Sequence, residues 1–163
     1  LNALRALLPA GRGKAGRITA EDGSGLRHDH QALLRGLDRL RAIVDALDEA
    51  EPEQAIGLIG QANAVVQDQV VAHERDDEGS VYPRLARLLQ DSHGLSAMSR
   101  AHREILHLAR LLGRLTEDLP SEHVDRYLIR DAQRVIEAIE TLVRMHTAQE
   151  DDIYEAVAAR SAA

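Results

Sequence analysis

Four histidines and two carboxylates recur in the same order twice along the chain. His73 is followed four residues later by Asp77, and His146 four residues later by Glu150. Ahead of each pair stands a lone histidine with aliphatic residues behind it: His30 before Leu33 and Leu34, His102 before Ile105 and Leu106. The spacing from lone histidine to pair is nearly the same in both copies, from 30 to 73 and from 102 to 146. On a helix, positions i and i+4 differ by only about 40° in direction, so each pair can present both heads to one point. Imidazole and carboxylate together suit borderline first-row metals such as iron, manganese or zinc. A carboxylate can bridge two ions while histidines cap each one. His30, His73, Asp77, His102, His146 and Glu150 therefore form a ligand set for two metal ions, with Asp77 and Glu150 as the candidate bridges. Only neutral imidazole coordinates, so binding is expected to weaken at acid pH.

A blander reading exists for each residue alone. A single histidine on an apolar stripe is commonly a satisfied core residue. A carboxylate on the same stripe is harder to accommodate, because buried carboxylates are rare unless paired or metal-bound. The symmetric recurrence decides for a metal. The remaining histidines read otherwise. His28 lies about 200° around a helix from His30, facing solvent or capping the turn, with a place beside or instead of His30 as its alternative. His93 and His123 fall at helix starts and are expected to be exposed. His107 is about 140° off the face of His102, at an interhelical boundary.

The elements that must hold these residues are helices. His30, Leu33, Leu34, Leu37, Val44 and Leu47 share one face of a first helix over about 26–49, stopped near Pro52. A second runs from about 53 to 90, with Ala62, Val66, Val70, His73 and Asp77 on one stripe. Gly79, Ser80 and Pro83 predict a kink or short break within it. A third spans about 95–118, capped by Asp91 or Ser92. A fourth spans about 122–160 after a stop at Pro120 and an N-cap at Ser121. Its stripe is Val135, Ile139, Leu142, His146, Glu150, Ile153 and Val157. Four long helices with short joins predict an all-α, up-down-up-down four-helix bundle. The repeat adds a pseudo-twofold axis relating its halves. Residues 9–25 are rich in Gly and charge, and 1–25 read as a tail or linker ahead of a bundle over 26–163.

Composition narrows the function. Aromatics are 2% of the chain, with no Phe or Trp, so the core must be aliphatic and suits helices. A net charge of −7 argues against a nucleic-acid partner. The absence of cysteine removes disulfides, thiolate metal ligands and thiol nucleophiles. No apolar run is long enough to span a membrane, and the opening Leu1–Leu8 lacks a signal peptide's layout. The chain does not open on Met, so residues upstream are expected; the compartment expected by default is the cytoplasm. The zinc-protease motif His-Glu-x-x-His is absent, since His73-Glu74 is followed by Asp77. The paired Glu-x-x-His of ferritin-like bundles is matched only once, at Glu104 and His107.

The segment His73-Glu74-Arg75-Asp76-Asp77-Glu78-Gly79-Ser80-Val81-Tyr82-Pro83 resembles the hemerythrin-like (HHE cation-binding) pattern: His, an acidic pair at +4 and +5, then an aromatic-Pro end. The stretches around His30 and His102 look like that family's openings of the first and third helices, and His146 to Tyr154 like its last-helix motif. The resemblance covers about 26–160. It implies a four-helix bundle holding two iron ions, with His30, His73, His102 and His146 as imidazole ligands and Asp77 and Glu150 as bridges. Manganese and zinc are possible substitutes. This chain departs from the family at Asp77, one methylene shorter than the usual Glu, and at Leu106, where oxygen-carrying members have a second histidine. The ligand pattern looks closer to the di-iron domains of iron–sulfur-cluster repair proteins and of iron- or oxygen-sensing members. Two functions follow. One is a protein reacting with O2, peroxide or NO in stress defence or sensing, an oxidoreductase if it turns over. The other is an oxygen or iron carrier or store without turnover. A bundle whose histidines bind nothing is the third reading, separated by metal content.

Overall fold

The structure, a computed structural model, describes residues 20–89, 93–117 and 123–162, and side chains within 30–87, 95–117 and 123–159. It is all-α, an up-down-up-down four-helix bundle with no strand among the described residues. Helix α1 is Ala20–Leu47, α2 covers residues 52–89, α3 is His93–Thr116 and α4 is Arg126–Ala162. Helices α1 and α3 stand diagonally opposed, each packed against both α2 and α4. No described helix is long and apolar enough to cross a membrane.

The helix ends follow local chemistry. Helix α2 starts with Pro52 at its first position, where a missing N–H costs nothing and the fixed φ suits the helix. Helix α4 is capped by Asp125, whose Oδ1 accepts from the Tyr127 and Leu128 amides at 3.0 and 2.8 Å. That replaces the expected cap at Ser121, which lies outside the described residues, as do Asp91 and Ser92. Gln133 Nε2 donates to the Val44 carbonyl at 3.1 Å and to Asp48 at 2.9 Å, closing the C-terminus of α1 against α4. Helix α1 begins at Ala20, ahead of the expected start near 26. Glycines there cost about 1 kcal/mol each in a helix but do not forbid it. The rest of the expected tail, residues 1–19, lies outside the described residues.

At the place where a kink or short break is expected, α2 changes helix type without parting. Residues 52–89 run on as one helix in which α-helical Pro52–Val65, Ala72–Asp76 and Tyr82–Leu89 alternate with π-helical Val66–Val71 and Asp77–Val81. Pro83 has no N–H for the turn before it, and the ladder widens just ahead of it instead of parting. Ser80 Oγ donates to the Asp76 carbonyl at 2.8 Å, occupying one acceptor in that stretch.

The apolar interior is in two parts. A large cluster holds Leu37, Leu40, Ile59, Val66, Val70, Ile105, Leu112, Ile136, Ile139 and Val143. A smaller one holds Tyr82, Leu85, Leu95, Met98, Tyr154 and Val157. Between their residues on α2, α3 and α4 fall the buried polar side chains Glu74, Asp77, His102, His146 and Glu150, joined by the buried His30 of α1. Glu140 is buried elsewhere, on α4. Burial opposes its charge, yet hydrogen bonds from Arg144 and Arg41 hold its carboxyl below the ordinary range. Arg144 also reaches Asp38 on α1. Replacing Arg144 by Ala leaves Glu140 with Arg41 alone, whose side chain is 67% exposed. Urea unfolding is expected to show a loss of about 1–3 kcal/mol for Arg144→Ala and under about 1 kcal/mol for Arg41→Ala.

Candidate metal centre

The two π-helical turns of α2 decide which of its residues face inward. In a regular helix Asp77 and Tyr82, five apart, would point about 140° away from each other. The π-type bond from the Tyr82 amide to the Asp77 carbonyl takes up the extra residue, so both side chains reach the same interior layer. His73 and Glu74 enter it from the α-helical turn Ala72–Asp76, and Asp77 from the first position of the second π-helical stretch. Helix α4 is regular and contributes His146 and Glu150 one turn apart. Helices α1 and α3 contribute His30 and His102.

These side chains form two adjoining groups of metal-ligand type: His30, His73, Asp77 and Glu150 in the first, and Glu74, His102 and His146 in the second. In the first, His30 Nε2 lies 3.4 Å and His73 Nε2 3.8 Å from Glu150 Oε2, and His73 Nε2 lies 3.2 Å from Asp77 Oδ2. In the second, Glu74 Oε2 lies 2.8 Å from His102 Nε2 and 3.6 Å from His146 Nε2. Glu150 turns its other oxygen, Oε1, to this group, 3.2 Å from His146 Nε2 and 3.7 Å from His102 Nε2. Glu150 thus offers one oxygen to each group, while Asp77 falls with the first and Glu74 with the second.

The donor set fits a metal. Glu74 Oε1 and Oε2, Asp77 Oδ2, Glu150 Oε2 and His73 Nε2 are buried and make no hydrogen bond. They approach their neighbours closely, yet their directions do not meet hydrogen-bond geometry. Such orphaned atoms are costly in a protein interior. Atoms that approach one another without bonding, all of ligand type, are what a cation requires.

The outer nitrogens of the two lone histidines are held. His30 Nδ1 is 2.9 Å from Asp151 Oδ1, and His102 Nδ1 is 3.0 Å from Glu78 Oε1. Asp151 follows Glu150 and Glu78 follows Asp77, so each lone histidine is gripped by the acid one position past a ligand carboxylate. Carboxylates so placed fix the imidazole tautomer with Nε2 turned inward and raise its basicity. Two tyrosines close the layer. Tyr82 Oη donates to Glu150 Oε1 and lies 3.0 Å from His102 Nε2 and 3.4 Å from His146 Nε2. Tyr154 packs its ring 5.9 Å from that of His30.

Electrostatics show what the cluster does without a cation. Burial works against charge on Glu150, but the close imidazoles of His102, His146, His30 and His73 hold its carboxyl far below the ordinary range. Burial pushes Asp77 up to about 7, with His73 pulling it down and the negative Glu150 adding to the rise. Burial alone would lower His102; the adjacent carboxylates of Glu150 and Glu74 outweigh it and raise the imidazole to about 10. His30 and His73 are raised too, burial again being overcome, by Glu150 with Asp151 and by Glu150 with Asp77. Burial and the charge of Glu150 push both tyrosine hydroxyls well above their usual range. Protons thus stand where a cation would.

All six residues singled out in the sequence lie in this layer, and Glu74 is the addition. Its signal was present: Val66, Val70 and Glu74 continue the i+4 stripe on which only His73 and Asp77 were read. Tyr82, read only as a motif's aromatic end, also lies in the layer. His107 is exposed on α3 rather than at an interhelical boundary, and His123 is exposed as expected. The side chains of His28 and His93 lie outside the described ones. Leu106 is half-buried and packs against the large apolar cluster.

Fold and site together define a helical bundle with an interior layer of metal-ligand residues. The family model of the hemerythrin HHE cation-binding domain matches residues 24–162, and the chain belongs to that family. No curated protein and no solved structure matches the chain.

Two outcomes follow. In the metal-free protein, the stability contributed by His102 is fully present below its unfolded pKa near 6.5 and is lost as pH rises through about 10. That of Asp77 is present below 3.8 and lost as pH rises through about 7, while that of Glu150, with its lowered pKa, is complete across this window. All signs agree, so melting of the chelator-treated protein is expected at lower temperature at pH 9 than at pH 6.5. The rise in melting temperature on adding metal is expected to be larger at pH 9, because metal displaces those protons. Second, Asp151→Asn and Glu78→Gln are each expected to weaken metal retention about 10–100-fold in a competition titration with a chelator, leaving helix content unchanged.

Proposed function

We propose that the protein is a non-haem di-iron protein that reacts with O2, peroxide or NO in stress defence or sensing. The single observation that carries this is Glu150, whose two oxygens serve two adjoining groups of buried, hydrogen-bond-orphaned ligands. One ion would be held by His30, His73, Asp77 and Glu150, the other by Glu74, His102, His146 and Glu150. Three carboxylates with four neutral imidazoles favour divalent and trivalent iron over softer ions, manganese and zinc being the substitutes. A bound iron pair supplies one- and two-electron redox chemistry at the end of a small ligand.

The protein's own residues do the rest. Asp151 and Glu78 orient His30 and His102 and raise their basicity, which favours the oxidised pair. The two apolar clusters keep bulk water from the layer, and Tyr82 holds a proton beside Glu150 Oε1. Oxygen-carrying members of the family have a histidine where this chain has Leu106, and leucine has no ligand atom. Two groups of four donors thereby leave positions for exogenous ligands on both ions. That supports reaction over reversible carriage.

The test begins with metal analysis of protein purified from iron-replete cells, where about two iron atoms per chain are expected. His146→Ala is expected to lose most of that iron and His107→Ala none. The reduced protein is then exposed to O2, stripped with argon and followed in the visible. Irreversible oxidation is expected; clean recovery of the colourless reduced form over many cycles supports the carrier instead.

A further inference from the structure

Of the seven ligand-type residues, His73 alone is not sealed in. Its side chain is 13% exposed, against 3% or less for the other six. His73 lines a cleft of about 710 Å³ between α1 and α2, while its Nε2 is buried. A single residue, His73, thus belongs both to the cleft wall and to the first ligand group. The α1 flank carries the exposed Arg35 and Arg39, and the α2 flank carries Asp76. On a chain of net charge −7 this mouth is locally basic. Its floor is Gly36, over which the Gln69 carboxamide lies so closely that an added Cβ would stand 2.0 Å from Gln69 Oε1. Gln69 belongs to the π-helical stretch Val66–Val71, one turn before His73.

We propose that this cleft is the entry by which small inorganic anions of two or three heavy atoms reach the centre, with Arg35 and Arg39 drawing them in and the Gly36–Gln69 contact setting the bore. The inference rests on the di-iron reading above. A positive mouth on an acidic protein raises local anion concentration and association rate, an effect that salt screens within about 10 Å. A neutral ligand gains nothing from the charge but must pass the same bore. A second, smaller cleft ends on Tyr82 and Glu78 and carries Arg100 and Arg103, so charge alone does not single out the route. What favours the first is that its wall is a ligand residue with an open edge, whereas Tyr82 is 5% exposed.

The experiment uses iron-loaded full chain, its metal content measured first. Azide binding to the oxidised protein is followed by stopped flow through the azide-to-iron absorption, and nitric oxide binding to the reduced protein serves as the neutral probe. Arg35→Glu with Arg39→Glu is expected to slow azide association about tenfold at low salt, with the dissociation rate, nitric oxide rate and iron content unchanged. Gly36→Ala, which drives the Gln69 carboxamide into the cleft, is expected to slow both probes severalfold, and Gln69→Ala to speed both. An iron-loaded charge-reversed variant with the wild-type azide rate overturns the inference alone. So does an equal or larger fall for Arg100→Glu with Arg103→Glu. Wild-type protein holding no metal overturns the di-iron reading and this inference with it.

Discussion

Seven ionisable side chains from four helices meet in one dry layer, and three of them are carboxylates. In a medium of low effective dielectric their mutual repulsion and desolvation are large, and no arrangement of four imidazoles satisfies every oxygen. Glu150 lies at the centre of this problem, with an imidazole nitrogen near each oxygen and the Tyr82 hydroxyl as a donor. Positive charge is needed between the groups, and protons on imidazole supply it only in part. The two apolar clusters on either side tolerate the layer because their packing holds the helices at fixed spacing.

The repeat gives the bundle near-twofold order, and its exceptions carry information. His73 corresponds to His146, Asp77 to Glu150 and Glu78 to Asp151. Glu74 corresponds to Thr147, which is equally buried but donates its hydroxyl back to the Val143 carbonyl at 2.8 Å and needs nothing further. The symmetry therefore breaks at one ligand. Helix α2 delivers three donors where α4 delivers two, and only α2 contains π-helical turns among the described residues. Each such turn costs hydrogen-bond geometry and advances the inward face by a residue. That phase shift is how residues as far apart as Asp77 and Tyr82 enter one layer.

Stability and site are thus coupled. Where Glu140 is paired by two arginines the bundle has a conventional solution for a buried charge, at a distance from the layer along α4. Within the layer arginine is absent and imidazole replaces it. Imidazole can give up its proton to make room for a metal, whereas guanidinium cannot.

Much of this was legible in the order of residues. The aliphatic stripes marked four helices, because a period near 3.6 survives any tertiary arrangement. Histidine and carboxylate one turn apart on two such stripes marked the interior layer, because burying a carboxylate is too costly to be incidental. Those inferences rest on local periodicity and on desolvation, which a sequence carries by itself. The outer grip of Asp151 and Glu78, and the unbroken course of α2 past Pro83, were not available that way. Each depends on the phase of a helix against its neighbours. A π-type turn changes that phase without any change in composition, and only packing against three other helices selects it. Which oxygen of Glu150 faces which group is likewise a property of four helices meeting, not of any one of them.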